Sequence, residues 1–402
     1  MTEKPGNNSS LTLDGLSPPK VAVIIPTYNR AHLVGHTIDS VLAQTLVPHQ
    51  IIVVDDGSTD ATPEIVAIRE AQIEYIRTEN RGKSSALNIA LPRVKSDYVC
   101  IFDDDDLMMP EALATHVQYL TQNPDRDFTY SDHYAFSNED DAQAVMAYGR
   151  AVSLPSVPTS QFLLWTMEQP FLPAHMQGMM IPMRCYDRIG VFDPALTRCQ
   201  DHDMVCRIAR YFIAGHIQQP LWGFREHEGP RGPASESHSA DKRYDIWRRY
   251  KEQVFEKIYR NVAIEEYVPP GDALNHSGKP GDDKTRLRQA LLTRARIMST
   301  HGLYKHAQAD FAAFMRLNEA HLTQDDRRRI SQLLSIDGAR DIAPIHYFRT
   351  LGALTNWHDG SVRASLRGFY WSLMRELRLR RWKNALRVAG AAKSFARGAI
   401  SR

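Results

Sequence analysis

Tyr98-Val99-Cys100-Ile101-Phe102 runs directly into Asp103-Asp104-Asp105-Asp106. A short apolar segment with the character of a buried strand therefore delivers four adjacent carboxylates to one place. Clustering that much negative charge is costly unless a cation neutralises it. Hard divalent ions such as Mn²⁺ and Mg²⁺ take oxygen ligands, and at phosphate-processing sites one or two carboxylates hold the metal while phosphate oxygens complete its shell. An isolated acidic run is more often a solvated turn; the position at a strand end favours the metal and phosphate reading.

The surrounding sequence repeats the pattern of strand, then helix. Val21-Ala22-Val23-Ile24-Ile25 is a continuous apolar run that should stop at Pro26, as in a parallel strand buried on both faces. Ala31 to Gln44 carries Leu33, Val34, Ile38, Val41 and Leu42 at helical spacing. Ile51 to Val54 is a second strand ending in Asp55-Asp56-Gly57-Ser58, followed by a helical segment from Thr62 to Glu70, a short strand at Ile73 to Ile76 and a helix from Ser84 to Ala90. Such alternation implies right-handed βαβ units in an open α/β sheet, which binds ligands at the carboxyl ends of its strands. Both acidic clusters fall at those ends.

The residues after the first strand restrict the nucleotide chemistry. A dinucleotide-binding fold needs Gly-x-Gly-x-x-Gly there, so that bare backbone can approach a pyrophosphate. The chain has Pro26-Thr27-Tyr28-Asn29-Arg30 instead. The glycine- and arginine-rich loop expected of a sugar-nucleotide pyrophosphorylase is also missing. Charge neutralisation then falls more heavily on a metal.

With these elements the chain closely resembles the family 2 glycosyltransferases of GT-A fold. The matching stretches are Ile25 to Arg30, Val54-Asp55-Asp56-Gly57-Ser58-Thr59-Asp60, Asn80-Arg81-Gly82 with Ala86-Leu87-Asn88, and Asp103-Asp104-Asp105, and the resemblance covers roughly Val21 to Ala240. It implies a GT-A open mixed sheet flanked by helices. It implies that Pro26, Thr27, Tyr28, Asn29, Arg30, Asp55 and Asp56 line the nucleotide, with Asp55 and Asp56 against base and ribose. Asp103-Asp104-Asp105 matches the Asp-x-Asp motif, with Asp105 as a direct ligand of Mn²⁺ or Mg²⁺ and Asp103 facing ribose or metal; the extra Asp104 and Asp106 leave the register open by one position. Arg81 and Lys83 read equally as donor-holding cations or as surface charges.

The resemblance also implies a base on the acceptor side. Cys199-Gln200-Asp201-His202-Asp203 matches the Glu-Asp pair that opens a helix in the family, with Gln200 in place of the glutamate. Asp201 then matches the general base, while a plain N-capping aspartate is the alternative. His202 stands where the family usually has an aromatic and is read as wall on the acceptor side. Arg225-Glu226-His227 resembles the family's Arg-x-His, which makes His227 a further contact to metal or diphosphate. Trp165 and Phe171 lie in an aromatic- and methionine-rich stretch that either fills a core or stacks on an acceptor sugar.

Composition bounds the rest. A net charge of +2 over 402 residues gives no reason to expect nucleic acid. Cys100, Cys185, Cys199 and Cys206 have no paired or zinc-like spacing and read as buried thiols. Residues 1–19 read as a disordered tail, 20–262 as the GT-A domain, 263–284 as a linker, and 285–402 as an all-α C-terminal domain. Gly302, Tyr304, Ala307 and Phe311 are spaced much like one tetratricopeptide unit, too few for a solenoid. The end of the chain gathers Arg375, Arg378, Arg380, Arg381, Lys383, Arg387, Lys393, Arg397 and Arg402 beside Trp382, Ala385, Leu386 and Ala389. That fits either an anionic membrane surface or a packed helix with a basic outer face.

The expectation is an inverting, metal-dependent enzyme transferring a sugar from a nucleotide-diphosphate sugar, UDP-sugar favoured, to a saccharide or lipid-linked saccharide in cell-surface polysaccharide or glycolipid synthesis. It would be cytoplasmic or peripheral at the inner membrane face. A sugar-nucleotide hydrolase and a non-catalytic sugar-nucleotide-binding scaffold are the alternatives.

Overall fold

The computed structural model describes residues 19–137, 141–226, 240–268, 283–317, 326, 370 and 382–400. Among these the chain packs as two units: residues up to 156 with 174–200 and 207–234, and residues 157–173 with 201–206 and those from 235 onward.

The first unit is built on a nine-stranded mixed sheet. Four strands are mutually parallel: β1 (Val21–Thr27), β2 (Gln50–Asp55), β3 (Glu74–Arg77) and β4 (Tyr98–Ile101). The others are β5 (Leu107–Met108), β6 (Phe128–Phe136), β7 (Arg150–Val152), β8 (Met179–Pro182) and β9 (Ala214–Arg225). The strand order is β3-β2-β1-β4-β8-β6-β9-β5, with β7 paired to β6. β8 enters antiparallel between β4 and β6, and β9 then runs parallel to β6. Helices α1 (Val34–Leu42), α2 (Thr62–Ala67), α3 (Lys83–Ala90), α4 (Ala112–Gln122), α5 (Ala142–Tyr148) and α7 (Arg184–Ile189) belong to this unit. α6 (Phe162–Glu168) belongs to the second unit, and α8 (Gln200–Tyr211) starts in the first and contributes 201–206 to the second.

The apolar runs become strands because both of their faces are covered. Every residue of β1 is buried, and Val23, Ile25, Val53 and Cys100 share one core with Val34, Ile38 and Val41 of α1. Each such side chain contributes about 1.5–3 kcal/mol of burial free energy. Pro26 does not end β1, contrary to the sequence expectation: the strand continues to Thr27, with Pro26 opposite Val54. The ladder to β4 has already finished at Ile24 opposite Ile101, so the missing Pro26 N–H falls where only one neighbour remains to be paired. β1, β2 and β4 thus end on the same edge of the sheet at Thr27, Asp55 and the run after Ile101.

The second unit is helical. Besides α6 it holds α9 (Ala240–Asn261), α10 (Asp283–Thr300), α11 (Tyr304–Leu317) and α12 (Trp382–Ile400). α10 and α11 form the expected hairpin, turning at Gly302 with φ +87° and cross-linked by Arg294, whose Nε and Nη2 donate to the two carboxylate oxygens of Asp310 at 2.9 and 2.6 Å. All four cysteines are buried and free. No described helix is long and apolar enough to cross a membrane.

Candidate functional site

Three loops meet at the carboxyl edge of β1, β2 and β4, and side chains sew them together. After β1, Asn29 sits in the left-handed region at φ 54°, a conformation that asparagine tolerates better than most residues. Its Oδ1 accepts from Thr59 N at 2.8 Å and its own N–H donates to Ser58 Oγ at 2.9 Å. Arg30 N donates to Thr62 Oγ1 at 2.9 Å. The Pro26–Arg30 loop is thereby held to the turn that follows β2.

That turn is organised by Asp55 and Asp56. Asp55 is fully buried; one oxygen accepts from Ser58 N at 2.8 Å and the other from the Tyr75 hydroxyl at 2.6 Å, with Arg77 Nε at 3.9 Å. Asp56 accepts from Arg81 N and Gly82 N, both at 2.8 Å. Burial raises the Asp56 carboxyl, and those two backbone donors oppose the shift. Gly57, at φ +80°, lies so close to Asn80 N and Thr78 O that a Cβ there would be crowded at about 3 Å. Both aspartates therefore already fix the architecture of the edge. A carboxylate oxygen can accept more than one hydrogen bond, although Asp55 as it stands is closed off from solvent.

The four aspartates after β4 do not all point the same way. Asp103, Asp105 and Asp106 each bring one carboxylate oxygen to within 4.8 Å of the others. Asp104 turns back to the β1 loop: it accepts from Tyr28 N at 3.4 Å and faces Arg30 Nε at 3.6 Å. Burial, then the charge of Asp105, pushes the Asp104 carboxyl up to about 7. Lys83 Nζ, from the first turn of α3, donates to Asp103 Oδ1 at 2.6 Å, and Arg30 Nη2 stands 3.9 Å from Asp105. Arg225, at the end of β9, donates from its backbone N to Asp106 Oδ1 and from Nε to the Asp105 carbonyl, both at 2.9 Å. Gln177 Nε2 donates to the second oxygen of Asp103.

The converging carboxylates supply hard oxygen donors with two cations beside them, a set that fits a divalent ion and a diphosphate together. Asp106, Gln177 and Arg225 were not singled out as site residues by the motifs. Asp106 carried the weak signal of a fourth acid, whereas Gln177 and Arg225 arrive through pairings 74 and 120 residues apart.

Of the residues expected at the site, Pro26 to Arg30, Asp55, Asp56, Arg81, Lys83 and Asp103 to Asp105 are brought together in the first unit. The Arg81 side chain points to solvent and pairs with Glu79 at 2.8 Å. His227 lies outside the described residues. Asp201, His202, Trp165 and Phe171 belong to the second unit. Asp201 is half-buried in the first turn of α8, after Cys199 in a left-handed conformation at φ 59°. An acid there is stabilised by the helix N-terminus.

His202 is an interior residue. It is 2% exposed, its Nε2 lies 3.0 Å from the Thr166 carbonyl, and its ring meets Phe255 edge-on. Burial pushes its imidazole down to about 4. Trp165 is half-buried against Phe162, and Phe171 is exposed with Lys251 Nζ 4.0 Å over its ring.

Residues 22–186 match the model of Glycosyl transferase family 2. An uncharacterized glycosyltransferase of Rickettsia felis is 30% identical over 194 residues, which is 48% of this chain and 32% of the relative. The putative colanic acid biosynthesis glycosyl transferase WcaA of Escherichia coli is 27% identical over 195 residues, 47% of this chain and 66% of that protein. The match thus spans less than two thirds of either relative. Among solved structures, S. aureus TarS 1–349 in complex with UDP-GlcNAc aligns with TM-score 0.50 at 15% identity, covering 94% of this chain and 92% of that one.

Proposed function

We propose, from the match of residues 22–186 to the model of Glycosyl transferase family 2, that the chain transfers a sugar from a nucleoside diphosphate sugar, UDP-sugar favoured, to a hydroxyl acceptor with inversion at the anomeric carbon. The observation that carries this reading is the convergence of the Asp103, Asp105 and Asp106 carboxylates beside Lys83 and Arg30 at the end of β4. Asp103, Asp105 and His227 would hold Mn²⁺ or Mg²⁺, and the backbone N–H of Arg225 fixes Asp106 behind the two aspartates. A divalent ion bound there would offset charge on the departing diphosphate.

The chain's own residues supply the remaining roles. Thr27, Tyr28 and Asn29 would line the nucleoside, and the remaining lone pairs of Asp55 and Asp56 would read base and ribose. Lys83 and Arg30, already beside the carboxylates, would swing to phosphate oxygens as the donor enters, with Arg81 as an outer cation. Asp201 would accept the proton of the acceptor hydroxyl as its oxygen attacks the anomeric carbon and the nucleoside diphosphate leaves. Trp165 and Phe171 would border the acceptor.

The biological setting that suits this chemistry is cell-surface polysaccharide or glycolipid synthesis on the cytoplasmic side, with a saccharide or lipid-linked saccharide as acceptor. One relative is named a putative colanic acid biosynthesis glycosyl transferase, WcaA, which supports a polysaccharide setting. α12 supports contact with an anionic membrane: Leu386 is 76% exposed on the same side as Lys393 and Arg397, while Val388, Ala391 and Phe395 are buried.

A thermal-shift screen of nucleoside diphosphate sugars with Mn²⁺ or with a chelator tests the reading. At least one UDP-sugar should stabilise the chain in Mn²⁺ and fail to do so in chelator. No shift with any nucleotide sugar overturns it.

A further inference from the structure

The sheet edge continues past the acid turn into a group of rings that the proposed chemistry has not used. His133 of β6, His175 just before β8, and Trp222 and Phe224 of β9 come together in the first unit. The His133 ring lies 5.0 Å from the Trp222 ring at an interplanar angle of 30°, and 5.9 Å from His175. His175 in turn lies 5.7 Å from Trp222 and 5.5 Å from Phe224. The indole is 2% exposed and backs the group, while both imidazoles and Phe224 remain partly open to solvent. Gly178 makes room for the indole, because a Cβ there would collide with Trp222 Nε1. Among the described residues, the ring nitrogens of His133 have no hydrogen-bond partner.

Its position follows from the strand order. The nucleoside-lining loops sit over β1 and β2, the acid turn follows β4, and the next strands along the same edge are β8 and β6. A nucleoside diphosphate sugar is a linear sequence of base, ribose, diphosphate and sugar. With the base over β2 and the diphosphate at the β4 turn, the sugar falls over β8 and β6. One short turn makes the connection physical: His175 lies two residues from Gln177, whose side chain donates to Asp103.

We propose that His133 and His175, backed by Trp222 and Phe224, form the wall that reads the transferred sugar and select an uncharged pyranose over an anionic one. This rests on the nucleotide-sugar reading above and assigns its donor class. Aromatic faces suit the apolar C–H face of a pyranose, and a neutral imidazole offers one donor and one acceptor to ring hydroxyls. Among the described residues, the arginines nearest the wall are already engaged. Arg150 is engaged with Glu226 at 3.3 Å, and Arg225 with the Asp105 carbonyl and the Phe136 ring. Burial, then the neighbouring His175, holds the His133 imidazole down at about 4, so it stays neutral at neutral pH.

Calorimetric titration of the full chain in Mn²⁺ with UDP, UDP-N-acetylglucosamine, UDP-glucose and UDP-glucuronic acid tests this. At least one neutral sugar nucleotide should bind more tightly than UDP and than UDP-glucuronic acid. The double variant His133→Ala/His175→Ala should lose about tenfold of that advantage, two hydrogen bonds' worth, while its affinity for UDP stays within twofold. Retained UDP binding also reports that the variant is folded. His175→Asn, which keeps a donor and an acceptor, should recover part of the advantage relative to His175→Ala. An undiminished sugar advantage in the double variant, or a native preference for UDP-glucuronic acid, overturns the inference and leaves the transferase reading standing. Loss of UDP binding along with the sugar advantage makes the rings a packing element and equally overturns it. Absence of UDP and UDP-sugar binding in the native chain removes the transferase reading and the inference with it.

Discussion

The acid turn after β4 and the histidine pair in the helical unit both take ionisable groups out of water, by opposite means. At the turn, carboxylates are kept close together and matched with Lys83, Arg30 and backbone donors. In the helical unit, His202 and His301 lose their charge instead: each directs Nε2 at a carbonyl near the end of α6, Thr166 at 3.0 Å and Met167 at 2.8 Å, and burial holds both imidazoles well below their ordinary value. Their ring centroids are 5.8 Å apart, and His301 stacks on Phe255. Carboxylates paired with cations at a sheet edge are poised for a charged ligand. Charge surrendered inside a helical core supports packing.

Asp201 and His202, adjacent in α8, give the sharpest way to break this comparison. Asp201→Asn should keep UDP-sugar affinity within a few-fold and lower turnover by about two to four orders of magnitude, roughly 3–5 kcal/mol of transition-state stabilisation. His202→Gln should leave turnover within a few-fold. Single-turnover rates on both variants decide it. A fast Asp201→Asn enzyme, or a His202→Gln enzyme as slow as expected for Asp201→Asn, would exchange their roles.

The second test uses the neutral side of the comparison. The folded-state pKa of His202, about 4, lies below the ordinary 6.5. The unfolded chain therefore takes up this proton first as pH falls. Stability from this residue is intact above 6.5 and drains away as pH drops to about 4, a loss of about 3 kcal/mol. His202→Gln keeps an N–H for the Thr166 carbonyl and cannot titrate, so urea midpoints of this variant should fall less between pH 7 and pH 4 than those of the native chain. Identical slopes would mean that His202 is not a titrating element of the acid response.

How much of this was legible beforehand differs between the two regions for a physical reason. β1, β2 and β4 announce themselves as continuous apolar runs, and their acids stand next to them in sequence, so local pattern suffices. The insertion of β8 between β4 and β6, the reach of Gln177 to Asp103, and the meeting of His133 with Trp222 depend on which strands pair and in what register, and no local pattern encodes that. His202 reads as wall on the acceptor side from its place in the motif after Asp201. Only the packing of α6 and α9 around it reveals an interior residue. Pro26 misleads in the same way: its local effect is to stop a strand, and its position past the last β4 pairing cancels that effect.

On the charged side, Asp105→Ala should uncouple metal from nucleotide. In the native chain Mn²⁺ should tighten UDP binding by about 5- to 150-fold relative to chelator, the usual range of a coupling of 1–3 kcal/mol. In Asp105→Ala the difference should shrink to less than twofold. If UDP binds the native chain equally well with and without metal, Lys83 and Arg30 alone neutralise the diphosphate, and the acid turn would be an internally compensated structural element like the histidine pair.

The smallest effect concerns ionisable groups that are not buried at all. α12 contains no acidic residue, and it exposes Lys393 and Arg397 alongside Leu386 while its other side is buried at Val388, Ala391 and Phe395. An exposed cation next to an exposed leucine gains little from water and more from an anionic bilayer, at about 1 kcal/mol for each basic residue near the surface. Two such residues amount to about 2 kcal/mol, roughly a thirtyfold difference in partitioning, and the attraction should fade as added salt shortens the Debye length below about 10 Å. Co-sedimentation with vesicles containing phosphatidylserine at low salt should therefore exceed that with purely phosphatidylcholine vesicles, and Lys393→Glu/Arg397→Glu should abolish the difference while leaving UDP binding unchanged. Equal sedimentation with both lipids, or an unaffected charge-reversal variant, would make the exposed face of α12 ordinary solvated surface, and the retained charges at the acid turn would then be the functional ones in this comparison.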